Sequence, residues 1–248
     1  MKISNSDLER YSKQIILKQV GVLGQKKISS TKVLIVGMGG LGCPLALYLS
    51  SLGINNIGIA DHDKVDISNL NRQVLFNSSD VGMFKVVQAK KILQKKRTKI
   101  SIYKKKIVKK NIQNILRKYD IICDCSDNFN TRYLLNDFCL KNKKILISAA
   151  ISKFEAHIFN FNFSKNIPCY RCFMPEIPEE EAKCDTEGIL PTVAGIAGTL
   201  QANEVVKSII DKKNELVGKM IVFNTLNLNF RKIILTKNKY CIMGCGKK

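Results

Sequence analysis

Residues 33 to 53 read VLIVGMGGLGCPLALYLSSLG: a short apolar run, glycines in the spacing G-x-G-x-x-G, then an amphipathic stretch. That order predicts a strand, a tight turn and a helix. Such a unit sets a nucleotide phosphate against a helix N-terminus, where unpaired backbone N–H groups and the helix dipole favour negative charge. No Lys-Ser/Thr follows the loop Gly37-Met38-Gly39-Gly40-Leu41-Gly42, so it is not a P-loop. Dinucleotide binding is the commonest meaning of the motif in this setting, but the loop serves NAD and ATP equally.

Outward from this loop, hydrophobic periodicity predicts strands at 33–36, 57–61, 100–103, 120–125 and 145–149. Helices are expected at 42–52, 83–96, 111–118 and 129–141. The β-α-β-α order implies a doubly wound, mostly parallel α/β sheet. After residue 150 the pattern changes. EAHIFNFNF (155–163) alternates as antiparallel strands do, a long helix is expected over 192–211, and KMIVFN and FRKIILT close the chain. MPEIPEEEAKCDTE (174–187), acidic and broken by proline, reads as a long exposed loop. With no internal repeat or linker, one continuous domain over 1–248 is expected, with a nucleotide-binding half (about 1–150) and a second functional half (about 151–248).

The 248 residues are 45% hydrophobic, enough for such a core. The longest apolar stretch, GILPTVAGIAGTLQA, has fifteen residues and is too short to span a bilayer. MKISNSDLERYSKQ lacks the apolar core of a signal peptide, so a soluble, cytoplasmic protein is expected. The net charge of +21 invites a nucleic-acid reading. It is set aside because 34 of the 41 basic residues are Lys, the chain has no Trp, and the run at 90–110 alternates with apolar residues as solvated faces do. Nine cysteines without an export signal point to thiols or metal ligands, not disulfides.

Asp61, about twenty residues past the glycines, is placed to accept hydrogen bonds from ribose hydroxyls. Arg72 and Lys85 both follow the second strand, and Lys85 falls in the first turn of a helix, where its charge opposes the dipole by about 0.3–1 kcal/mol. Two cations converging on a nucleotide suggest a triphosphate whose transition-state charge must be neutralised. Asp127 emerges at the same sheet edge. A carboxylate facing phosphates is unfavourable unless a metal bridges them, which assigns it to Mg²⁺; an N-cap for the helix near Phe129 is the alternative. A hydride-transfer site would need a His or Tyr acid-base partner, and none is evident.

RYSKQIIL, the glycine segment, DHDKVDISNLNRQVLF, VGMFKV, DCSDNFNTRYLLND, CYRC and GTLQANEVVK, in this order, resemble the ThiF/MoeB/HesA family, relatives of the ubiquitin-activating enzymes. Within it the resemblance is greatest to the molybdopterin-synthase adenylyltransferases. It covers about residues 10 to 246 and implies a Rossmann-like fold and an enzyme that adenylates the C-terminal glycine of a small ubiquitin-like sulfur carrier ending in Gly-Gly, releasing pyrophosphate. A MoaD-like carrier of molybdenum cofactor biosynthesis is expected, with a ThiS-like carrier of thiamine biosynthesis as the alternative. An NAD-dependent oxidoreductase and an ATP-dependent tRNA-modifying enzyme rank below both.

Carried over by motif, Gly40, Ser68, Asn69, Leu70, Asn71 and Arg72 line the nucleotide, Arg72 and Lys85 contact phosphates, and Asp127 with Asn128 holds Mg²⁺ and nucleotide. The resemblance also implies a homodimer in which the second basic residue of RYSKQ, here Lys13 instead of Arg, reaches the partner's phosphates. Lysine keeps that charge but loses the bidentate fork.

Cys169 and Cys172 form a C-x₂-C pair and Cys241 and Cys245 a C-x₃-C pair, four thiolates that suit a structural Zn²⁺. The family usually has C-x₂-C at the second pair. Cys184, in the acidic loop, stands where some members form a thioester or acyl-disulfide, although Glu and Asp neighbours work against a thiolate there. Cys43, Cys123, Cys125 and Cys139 are expected in the core. Because the chain ends three residues after Cys245, the sulfur is expected from a separate donor, a cysteine desulfurase or rhodanese-like protein.

Overall fold

The computed structural model describes residues 4–94, 98–177, 188–210 and 214–246. Three short helices come first, α1 (Asn5–Arg10), α2 (Ser12–Ile15) and α3 (Gly21–Ser30), none of which the periodicity predicted. The expected alternation follows: β1 (Lys32–Val36), α4 (Gly42–Ser51), β2 (Asn56–Ala60), α5 (Lys85–Gln94), β3 (Lys99–Tyr103), α6 (Ile112–Leu116), β4 (Ile121–Asp124), α7 (Phe129–Lys141) and β5 (Ile145–Ser152). The remainder is β6 (Glu155–Asn162), α8 (Tyr170–Phe173), α9 (Pro191–Ile210), β7 (Lys219–Asn224) and β8 (Asn229–Ile234).

All eight strands join one sheet in the order β3-β2-β1-β4-β5-β6-β7-β8. The first five are parallel, with Val33 beside both Ile57 and Ile121, and β5 to β8 continue the sheet antiparallel. A parallel sheet needs both faces covered, and β1 shows how the sequence arranges it. Val33 and Ile35 pack with Leu45 and Leu49 of α4 and Val86 of α5, whereas Leu34 and Val36 pack on the other face with Leu116 of α6 and Leu135 of α7.

From β1 the chain runs outward to β2 and β3, then returns to place β4 on the opposite side. The strand order reverses between β1 and β4, and in open α/β sheets ligands bind at the carboxyl edge of that point. At the far end β8 is exposed along its length. Among the described residues no helix is long and apolar enough to cross a membrane.

Candidate functional site at the carboxyl edge of the sheet

At the reversal between β1 and β4 lies a cleft of about 710 Å³. Its glycine wall is fixed by sterics. Gly37 has φ +95°, a left-handed value, and a Cβ there would stand 2.5 Å from the Cys125 carbonyl oxygen. A Cβ on Gly42 would lie 2.2 Å from the Gly37 carbonyl oxygen. Glycine at both positions brings the start of α4 hard against the strand ends.

Gly37, Gly39, Gly40, Asp61, Ser68, Asn69, Arg72, Lys85, Asp127 and Asn128, all singled out in the sequence, line the cleft together. Leu70 and Asn71 do not. Leu70 is half-buried and packs against the core, and the Asn71 side chain accepts a hydrogen bond from Arg72 Nη1 at 3.2 Å. Gly42 lies beneath the loop instead of on its surface. Lys13 is exposed on α2, away from this wall. Cys184 lies outside the described residues.

Asp61 is buried, and its carboxylate accepts the backbone N–H groups of Met38 (2.6 Å) and Asp63 (2.8 Å), tying the glycine loop to the end of β2. Lys85, with only 8% of its side chain exposed, pairs with Asp63 at 3.2 Å. Arg72 Nη1 also donates to the Ser68 carbonyl (3.1 Å), so both cations are braced toward the cleft.

The N-cap expected as an alternative for Asp127 falls to its neighbour. Asn128 takes the extended cap conformation, and its Oδ1 accepts the Thr131 N–H at 2.9 Å. Asp127 is left exposed, bonded through Oδ1 to the Asn128 amide (3.2 Å), and forms no ion pair among the described residues. The floor thiol, Cys125, is driven by burial far above its usual pKa, and burial pushes Cys43 up to about 12. Both stay protonated and are not nucleophiles.

Sequence reading missed several residues here. Asp63, two residues past Asp61, could have been suspected from DHD. Lys105 and Lys106, taken there as a solvated face, line the cleft. Asp124, fully buried, and Arg132 form an ion pair under the Asp127 loop at 3.0 Å, and no local pattern signals it.

A second cluster lies behind α7. The sulfurs of Cys169, Cys172, Cys241 and Cys245 are all within 4.8 Å of one another, with Cys169 3.9 Å from Cys172 and 3.7 Å from Cys241. A tetrahedron of thiolates about 2.3 Å from a zinc ion has edges of about 3.8 Å, so the donor set fits that metal. The extra residue of the C-x₃-C pair is accommodated in a turn closed by the Gly244 N–H on the Cys241 carbonyl (2.8 Å).

The sequence profile described as the ThiF family matches residues 11–243. The chain belongs to the ThiF family. Among the relatives it resembles are proteins named adenylyltransferase and sulfurtransferase MOCS3, from Culex quinquefasciatus (40% identical, over 99% of this chain and 57% of the relative) and Drosophila virilis (41%, over 96% and 54%). The chain thus spans little more than half the length of these relatives. In three dimensions it resembles the crystal structure of E. coli MccB with AMPCPP and MccA, at TM-score 0.82 and 26% identity over 100% of this chain and 75% of that one. E. coli MccB with MccA-N7isoASN gives the same TM-score at 25% identity, over 99% of this chain and 76% of the other. The eight-stranded mixed sheet is therefore the ThiF-family architecture.

Proposed function

We propose that this ThiF-family protein adenylates the C-terminal glycine of a small ubiquitin-like sulfur carrier ending in Gly-Gly, of the MoaD type that serves molybdenum cofactor biosynthesis. The observation that carries the reading is the meeting of the glycine loop, Arg72, Lys85 and Asp127 around one cleft. The name of the MOCS3 relatives and the AMPCPP and MccA held by the similar MccB crystal support it. An oxygen of the carrier carboxylate attacks the α-phosphorus of ATP, the bond from that phosphorus to the bridging oxygen breaks, and pyrophosphate leaves with the electron pair.

The chain's own groups divide the work. N–H groups at the start of α4 face the phosphates, and the free lone pairs of Asp61 accept ribose hydroxyls. Ser68 and Asn69 stand beside the nucleotide, and Arg72 and Lys85 neutralise charge that grows as pyrophosphate departs. Asp127 with Asn128 holds Mg²⁺, which when bound offsets phosphate charge. Lys13 reaches the phosphates of a partner copy in a homodimer. The four cysteines hold a structural Zn²⁺ in the half that docks the carrier. A cysteine desulfurase or rhodanese-like protein then supplies sulfur.

Isotope exchange between ATP and pyrophosphate, run with purified MoaD-type and ThiS-type carriers, tests the proposal. Exchange is expected with the MoaD type; exchange with the ThiS type alone moves the protein to thiamine biosynthesis, and exchange with neither refutes the proposal. Asp127→Ala should cut the rate by about 1000-fold, the upper range for losing one preorganised electrostatic group.

A further inference from the structure

Arg132 stands one turn into α7, 5% exposed, and its guanidinium holds the loop that carries Asp127. Nε donates to Asp124 Oδ2 (3.0 Å), and Nη2 donates to the carbonyls of Ser126 (3.0 Å) and Ala149 (2.9 Å). Asp124 also accepts the Ser126 N–H (3.0 Å) and the hydroxyls of Ser126 (2.5 Å) and Ser148 (2.6 Å). Ser126 is therefore gripped at both its N–H and its carbonyl, and the next residue is Asp127. Burial works against the guanidinium charge, but Asp124 and Tyr170 beside it together more than offset this. Replacing a buried ion pair by well-packed apolar side chains is often neutral or stabilising, so stability alone does not account for it. Geometry does.

We infer that Arg132 is a positioning residue that fixes the Ser126 backbone so that the Asp127 carboxylate is presented to the cleft. The consequence for catalysis rests on the role proposed for Asp127; the anchoring itself does not. Arg132→Lys keeps the charge but replaces two separated donor nitrogens by one, which loses the geometry of the three bonds. Ser148→Ala removes a bond to the same carboxylate and leaves the Ser126 carbonyl held, so it serves as the control.

Four readouts on the full chain, three from exchange kinetics and one from amide hydrogen exchange, decide the matter. In Arg132→Lys, the exchange kcat is expected to fall about 100-fold with KM for ATP little changed. The half-saturating Mg²⁺ concentration should rise about tenfold. Amide hydrogen exchange across residues 125–132 should quicken without ligand. Ser148→Ala should resemble wild type in all four. Should Arg132→Lys fail to fold, Asp124→Leu/Arg132→Met removes both buried charges together and is expected to show the same losses. A folded variant with wild-type kcat and wild-type amide protection overturns the inference, as does an equal loss in Ser148→Ala. If the wild-type protein catalyses no exchange, the adenylation reading falls, and the amide contrast alone upholds or overturns the anchoring.

Discussion

Around β1 and β4 the candidate site is made mostly of backbone: a glycine loop, a helix start and an Asx cap, locked by one buried ion pair. Around α8 and the end of the chain the second site is made of side-chain sulfurs, brought together from positions 72 residues apart. The first cluster lies in a sheet region packed on both faces, whereas the second lies near strands that thin to a fully exposed β8. A backbone site tolerates almost no added volume and needs no ligand to hold its shape. A cluster of thiolates in a thinner region would draw stability from an ion bound there.

The largest expected effect breaks the first region. Gly42→Ala forces a methyl group onto the Gly37 carbonyl oxygen at 2.2 Å, and backbone cannot step aside as a side chain can. A loss of about 3 kcal/mol, the upper end for overpacking, lowers Tm by about 6–12 °C in a protein of this size. Thermal unfolding checks it. A wild-type Tm with intact ATP binding would show that the loop is looser than its contacts imply.

Metal removal should act next most strongly, and on the second region. If the four cysteines hold Zn²⁺, chelation is expected to cost about 2.7 kcal/mol when free metal had stood near a hundred times Kd. Amide exchange should rise first in α8 and β6, before the glycine loop, and elemental analysis should give one zinc per chain. A Tm unmoved by chelation, in protein shown by analysis to have lost its metal, would remove the contrast between the regions.

How far each region was legible follows from the range of the forces that build it. The strands at 33–36 and 145–149 and the helix at 129–141 were readable because burial repeats at short intervals along the chain. The glycine loop was readable because sterics at Gly37 and Gly42 leave no other residue type. The grouping of the four cysteines was readable because they stand in the sequence as two close pairs. Helices α1 to α3 were not, since α1 and α2 bury no residue and α3 buries only Gly24, Gln25 and Ile28, too few to impose a period. Nor was the choice between Asp127 and Asn128 as cap, because two adjacent cap-forming residues are separated only by backbone conformation. The Arg132–Asp124 pair was hidden because Arg132 is also anchored on the Ala149 carbonyl, a partner that only the neighbouring strand brings in.

The smallest expected effect is the one that best tests the division of labour. Cys184 lies among Glu179, Glu180, Glu181, Asp185 and Glu187, with Lys183 the one adjacent cation. Nearby carboxylates disfavour a thiolate, and adenylation as proposed draws on groups that line the cleft and on Lys13 of a partner copy, with no step assigned to Cys184. Cys184→Ala should therefore leave ATP–pyrophosphate exchange within about twofold of wild type, since a substitution outside the proposed adenylation machinery perturbs by only tenths of a kcal/mol. Any part Cys184 plays would then come after the acyl-adenylate forms, visible as loss of sulfur transfer while exchange continues. A Cys184→Ala protein that is folded yet inert in exchange would place a thiol in the first chemical step and overturn that division of labour.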